Sequence, residues 1–355
     1  MAAQLAHSIR QLLDRGLAIP AVPMALTAER KFDERRQRAL LRYYAAAGMG
    51  GMAVGVHTTQ FAIRDPKYAL FEPVLRVCSQ VMTELDRGRS EPLVRVGGIC
   101  GATPQAAREA EFLREAGYHT GLVNLVALKN ATEGELIAHL RTLGEIIPIF
   151  GFHLGVGIGG RDLPVSFWRR FAELEAPVAI KIACFDRYQT IDCVRAIAEA
   201  GRDDISLYTG NDDNILLDLV TPFEFQIGKS RVTRRIVGGL LGHWAVWAKC
   251  AVEHVKLCQH LVASGSPIRQ DFLRLATEVT DSNAALFDPA HKFAGCIPGL
   301  EEVLRRQGLF AGTWCLNPAE TLSPGQAAEI DRVYAAYPHL TDDTFVRENR
   351  DEWLA

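Results

Sequence analysis

The sequence predicts an α/β protein built as a (β/α)8 TIM barrel with a C-terminal helical domain. Three observations point there. Short apolar runs bounded by Gly, Pro or polar residues recur eight times, too short for buried helices and therefore read as strands. Helical patterns with legible ends lie between them, and such βα alternation means parallel strands joined by right-handed crossovers. The repeating part, from Ile19 to about Ser264, has the ~250-residue size of a closed barrel. An open doubly wound sheet is the rival arrangement of the same units.

The 355-residue chain opens with MAAQLAHSIRQLLDRG, read as a short amphipathic helix. Arg10, Asp14 and Arg15 deny it the uninterrupted apolar region of a signal peptide. Strands follow at 19–26, 51–56, 92–99, 120–125, 147–152, 178–183, 205–209 and 236–241. Asp33 precedes the helix ERRQRALLRYYAAA, which stops at Gly48, and Thr103-Pro104 opens one that closes at Gly117. Thr132-x-x-Glu135 is a capping box for a helix ending near Gly144. Further helices begin at Pro164 and, after Arg187, run to Gly201. The expected domains are 1–264, the barrel with its short N-terminal helix, and 265–355, with helices at 267–286, 298–307 and from Ser323-Pro324.

Charge excludes several partners. Thirty-nine Lys+Arg against 42 Asp+Glu give a net charge of −3, so there is no basic excess to neutralise phosphates and no nucleic-acid partner is expected. No apolar run reaches the ~18–20 residues of a membrane span, so no membrane partner is expected either. The eight cysteines contain no CxxC pair, which suits reduced, mostly buried thiols and a cytoplasmic location.

Active sites of such barrels form at the C-terminal ends of the strands. The polar residues there are His57, Thr58 and Thr59 after the second strand, Cys100 after the third, and Asn124 on the fourth. His153 follows the fifth strand, Lys181 lies within the sixth, Tyr208, Asn211 and Asp212 surround the end of the seventh, and His243 follows the eighth. Lys181 stands inside the apolar run EAPVAIKIACF. A desolvated lysine loses proton affinity and becomes a nucleophilic amine suited to Schiff-base formation with a carbonyl. The residues alone leave a second reading open, a lysine snorkelling to solvent or paired with a carboxylate. Gly155-x-Gly157-x-x-Gly160 formally matches a dinucleotide fingerprint but lies in the fifth unit, without the acidic partner, and reads as a loop at the barrel mouth. His57, His153, Asp212 and His243 could converge at one barrel end, but no HxH or HExxH pair anchors them, and no metal is expected.

The ordered set IPAVPMALTAERKFDERR, AAAGMGGMAVGVHTTQF, VRVGGICGATPQAAREAEFLREAGYHTGLV, TEGELIAHL, PVAIKIACFDR, LYTGNDDNILLDL and SNAALFDPAHKFAGCIPGLEEVLRRQGLFAGTWCLNPAETLSPGQAAEIDRV resembles the dihydrodipicolinate synthase/N-acetylneuraminate lyase superfamily of class I aldolases. The resemblance spans residues 19–338. It implies a barrel with appended helices, a homo-oligomer (dimer or tetramer), no cofactor, and Schiff-base chemistry on a 2-oxo acid with Lys181 as the imine-forming lysine. His57-Thr58-Thr59-Gln60 sits where the family has a GTTGE loop, which implies that Thr58 relays protons and that Thr59 and His57 bind substrate. Position at the strand ends gives Asn124, Asn211, Asp212 and His243 an expected substrate-binding role, and Phe152, at the family's tyrosine position, joins them.

The departures are as informative as the matches. Phe152 stands where the family carries its proton-transferring tyrosine, Gly157 replaces the carboxylate-gripping arginine, and Val126-Ala127-Leu128 replaces Pro-Tyr-Tyr. A phenyl ring cannot transfer a proton, so dihydrodipicolinate synthesis is not expected. His153 is the expected replacement acid/base, its pKa being near neutrality. Adjacent strand residues face opposite ways, however, so Phe152 and His153 cannot both enter the site without a bulge. The expected activity is therefore a Schiff-base lyase, an aldolase or dehydratase. The alternatives are a degenerate member that only binds a small oxo-acid and a cofactor-dependent barrel oxidoreductase. Leu125, Val126, Leu128 and Phe152 would make one cavity wall apolar, which favours a hydrophobic or aromatic aldehyde portion.

Overall fold

The apolar runs pair side by side in a computed structural model that describes residues 2–355. The strands are β1 (Ala18–Pro20), β2 (Gly51–Val54), β3 (Val94–Ile99), β4 (Thr120–Val123), β5 (Ile149–Leu154), β6 (Pro177–Ala183), β7 (Ser206–Thr209), β8 (Phe223–Ile227), β9 (Ser230–Arg234) and β10 (Ile236–Leu241). Eight of them form one parallel sheet in the order β1-β10-β7-β6-β5-β4-β3-β2. A parallel bridge between Ala21 and Ala53, with the Val22 N–H donating to the Ala53 carbonyl at 2.9 Å, joins the two ends and closes the ring. The rival open sheet is thereby set aside.

Helices α1 (His7–Arg15), α2 (Glu34–Ala47), α3 (Phe71–Asp86), α4 (Thr103–Glu115), α5 (Glu133–Gly144), α6 (Val165–Ala172), α7 (Arg187–Glu199) and α8 (Ile215–Val220) alternate with the strands. Their ends follow local chemistry. The Asp33 carboxylate accepts the Arg36 N–H, and Gly48 turns left-handed at φ 96° to end α2. At α5 the Thr132–Glu135 capping box is complete in both directions.

The sequence reading missed the β8–β9 hairpin. Phe223-Glu-Phe-Gln-Ile alternates with period two into Gly228-Lys229, a hairpin signal. The pair packs on α7 outside the barrel and joins the short α8 in bridging β7 to β10.

The C-terminal part is helical, with α9 (Ala248–Ser264), α10 (Gln270–Phe287), α11 (Cys296–Arg306), α12 (Gln326–Ala336) and α13 (Asp343–Leu354). The last of these was not foreseen. It packs on α2, where Tyr43 touches the rings of Phe345 and Trp353 and Arg42 donates to the Trp353 carbonyl. One apolar core therefore runs from the outer barrel layer into these helices. All eight cysteines are free, and among the described residues no helix is long and apolar enough to cross a membrane.

A second apolar cluster fills the barrel interior with Ile19, Val94, Val96, Leu122, Phe150, Tyr208 and Leu240. Ile9, Leu12 and Leu13 of α1 belong to it, so the N-terminal helix plugs the barrel where its strands begin. Tyr208 ties the plug down, its hydroxyl donating to the Leu13 carbonyl at 2.9 Å.

Candidate active site at the C-terminal barrel mouth

Inward-pointing residues alternate along each strand, so a position two residues beyond the packed layer opens above it. There the inward positions are small. Val96 is followed by Gly98, Tyr208 by Gly210, Leu240 by Gly242 and Ala53 by Gly55, and all four glycines line a cavity of about 680 Å³. All eight barrel strands contribute to it at or just beyond their C-terminal ends.

Lys181 rises from the floor of this cavity and is 8% exposed. On β6 it lies in register with Phe152 of β5 and Tyr208 of β7. Its Nζ sits 4.9 Å from the centroid of the Phe152 ring. Gly210 lets the lysine stem lie flat against β7, since a Cβ there would stand 2.5 Å from Lys181 Cε. Burial pulls the Lys181 pKa down to about 8, against the opposing pull of Asp212. Among the described residues no carboxylate approaches its Nζ within 4.0 Å.

Several other expected residues meet Lys181 here. Thr58 and Asn124 line the cavity, and Thr58 Oγ1 is buried without a hydrogen-bond partner. The Asn124 side-chain oxygen accepts the Val126 N–H at 2.8 Å. His57 lines the cavity with an exposed side chain, and the surrounding walls, then the charge of Lys181, hold its pKa below the ordinary value. Asp212 is 4% exposed, with Oδ1 accepting the His243 N–H at 2.8 Å. Burial lifts its carboxyl to about 7 although Lys181 pulls the other way. Val126 and Phe152 form part of the apolar wall, whereas Leu125 and Leu128 pack into the core instead.

Four expected residues do not reach the cavity. His153 points outward into the helical layer, where Nε2 meets Gln189 Oε1 at 3.2 Å and its ring lies 5.0 Å from that of Trp168. Phe152 takes the inward position, with no bulge between the two residues, so the acid/base role expected of His153 is corrected. His243 likewise packs behind the strand ends against Trp247 and Asn283. Thr59 spends its hydroxyl on the barrel seam, donating to the Val22 carbonyl at 2.7 Å and accepting the Gly55 N–H at 3.0 Å. Asn211 is locked to Phe185, Thr190 and the fully buried Asp218. Of the four side chains considered for a metal, His57 and Asp212 line the cavity while His153 and His243 face away from it.

The sequence reading missed the upper wall. Phe61, Phe185, Phe287, Lys292, Phe293 and Cys296 all line the cavity, the last four from the end of α10, the start of α11 and the turn between them. Phe185, Lys292 and Phe293 adopt positive φ (49°, 56° and 65°), a conformation that non-glycine residues hold only where surrounding structure imposes it. That clustering marks the mouth, but nothing local in the sequence announces it. The Gly155–Gly160 segment also borders the cavity, through Gly157 and Gly159.

Comparison with solved structures places this architecture. The N-acetylneuraminate lyase from Fusobacterium nucleatum complexed with pyruvate superposes with a TM-score of 0.69 at 14% identity, over 92% of this chain and 98% of that one. A prophage protein of the dihydrodipicolinic acid synthase family from E. coli K12, in complex with pyruvate, gives 0.68 at 16% identity, covering 91% and 97%. Dihydrodipicolinate synthase from Aquifex aeolicus gives 0.70 at 17%, covering 91% and 98%. No family model matches the sequence, and no curated protein matches it. The chain has the barrel-plus-helices fold of the dihydrodipicolinate synthase/N-acetylneuraminate lyase superfamily.

Proposed function

We propose that the protein is a divergent member of that superfamily, a Schiff-base lyase acting on a 2-oxo acid such as pyruvate or its aldol adducts. One observation carries the reading: a buried lysine with its pKa lowered to about 8 at the floor of a cavity open at the C-terminal strand ends. At pH 7 a lysine of pKa 8 is ~10% neutral, against ~0.03% at its ordinary 10.5, a gain of about 300-fold in nucleophilic amine. The amine attacks C2 of the oxo-acid, water leaves, and when the C3–C4 bond of an aldol adduct breaks its electron pair becomes the C2–C3 double bond of the enamine as the iminium π pair moves onto nitrogen. The unpartnered Thr58 hydroxyl and Asn124 are placed to hold the carboxylate.

Standard dihydrodipicolinate synthesis is not the proposed reaction. No tyrosine lines the cavity among the described residues, and Tyr208, beside Lys181 in register, turns its hydroxyl down to Leu13. Phe61, Phe152, Phe185, Phe287 and Phe293 surround the acceptor space, which favours an apolar or aromatic aldehyde over a polyhydroxylated one. We place the enzyme in the cytoplasm as a homo-oligomer. Turnover of pyruvate with a panel of aldehydes tests the reading. Benzaldehyde-type acceptors are expected to outperform short or sugar-like ones, and a preference for the sugar-like aldehydes would refute the acceptor assignment.

A further inference from the structure

We propose that Asp212 is the proton-transfer group of this site, taking a proton from C3 of the Lys181 iminium and delivering it to the aldehyde oxygen. The proposal rests on the Schiff-base reading above and supplies what that reading lacks, since Phe152 and the outward-facing His153 leave the reaction without an acid/base.

The ionisable groups lining the cavity are few. Lys181 is consumed in the imine. Lys292 is exposed at the mouth. The Cys100 thiol is pushed up to about 11 by burial, and Cys296 is raised further by burial and then by Asp212. His57 and Asp212 remain. Both feel the charge of Lys181, but His57 lies three residues beyond the end of β2, across the ring from β6, whereas β7, which leads to Asp212, is paired directly with β6. Gly210 removes any side chain between the end of β7 and the lysine stem.

The carboxylate is also held for the task. Its Oδ1 is fixed by the His243 N–H, and its Oδ2 has no protein hydrogen bond among the described residues. The Asp212 and Lys181 side chains both line the cavity without forming an ion pair, and each feels the charge of the other. The groups facing Asp212 are Lys181 from β6, the His243 main chain beyond β10, Cys296 from α11 and the neighbouring Asp213. Burial holds its carboxyl near 7, so both protonation states are populated at neutral pH.

In the synthetic direction the Asp212 carboxylate takes the C3 proton. The C–H electron pair becomes the C2–C3 double bond, and the iminium π pair moves onto nitrogen. The enamine carbon then attacks the aldehyde carbon, whose C–O π pair moves to oxygen and takes the proton from Asp212. Water hydrolyses the resulting iminium, restoring the Lys181 amine. The cleavage direction is the reverse.

The test needs no knowledge of the natural aldehyde. Full-length enzyme with pyruvate in D2O is followed by proton NMR for loss of the methyl signal, in parallel with borohydride trapping. Asp212→Asn keeps the acceptor for His243 and is expected to retain trapping at Lys181 while exchange falls by about 100-fold or more. Asp212→Glu, which keeps a carboxyl, is expected to recover at least ~10-fold of that loss. Exchange at the wild-type rate in Asp212→Asn overturns the assignment. So does loss of trapping in a variant whose circular dichroism is unchanged, or loss of exchange in His57→Asn but not in Asp212→Asn. Absence of trapping in the wild type overturns the Schiff-base reading itself, and the assignment with it.

Discussion

The two ends of the barrel use the same strands to opposite effect. At the N-terminal end Val96, Phe150, Tyr208 and Leu240 point inward, and α1 seals them with Leu12 and Leu13. Two residues further along β3, β7 and β10 the inward positions are Gly98, Gly210 and Gly242, and the interior empties into the cavity around Lys181. A period-two register with a change from large to small side chains thus divides a stabilising core from a site, with no change of fold. Phe152 is the exception, keeping its bulk at the upper level and giving Lys181 an aromatic neighbour.

Substitutions at the two ends should therefore separate stability from chemistry. The largest effect is expected from Lys181→Ala, which should abolish turnover and borohydride trapping while leaving the circular dichroism spectrum intact. Measurable turnover in that variant would show that the two ends differ in packing only. At the plug, Leu13→Ala should cost about 2–5 kcal/mol in chemical denaturation. Its trapping rate, measured where it is folded, should match wild type, and slowed trapping would show that the plug and the mouth are coupled.

Gly210→Ala probes the boundary between the ends. The added methyl meets Lys181 Cε and, at 2.8 Å, the Ala183 Cβ, so the lysine stem must shift. A displacement of that kind is expected to slow trapping by about 100-fold. An unchanged rate would mean that the close approach of β7 to Lys181 is not what positions the amine.

The smallest effect is a pH dependence. Because the folded pKa of Lys181 is depressed to about 8, its neutral amine is the minority form below that value and the majority form above it. The initial trapping rate should rise about tenfold per pH unit as pH 8 is approached from below, then level off. A rise continuing past pH 10 would indicate an amine no different from a solvated surface lysine.

How much of this was legible in the sequence follows the range of the forces involved. The eight barrel strands and the capped helices are local, written in Asp33 and Gly48 or Thr132 and Glu135, and they appear near where the sequence puts them, although the first strand spans only Ala18–Pro20 instead of 19–26. Lys181 was legible because a charge inside a buried strand needs an explanation. That Phe152 and His153 face opposite ways was legible as well, but which of them enters the site was not, and the expected inward His153 turns out to face the helices. The pairing of α13 with α2 depends on Tyr43, Phe345 and Trp353 meeting across the whole chain, which no window of sequence contains. The phenyl lining from Phe287 and Phe293 arises in the same way. The roles of Thr59 and Asn211 failed for a different reason. Residue type permits a ligand contact, but the seam at Val22 and the Asp218 network use those side chains first.

The most direct test is to incubate the enzyme with pyruvate, reduce with borohydride, digest it and map the modified peptide by mass spectrometry. The account predicts one reduced-pyruvate adduct per chain, on Lys181. An adduct confined to the cavity-mouth Lys292, or none under conditions where the protein is folded, would contradict it.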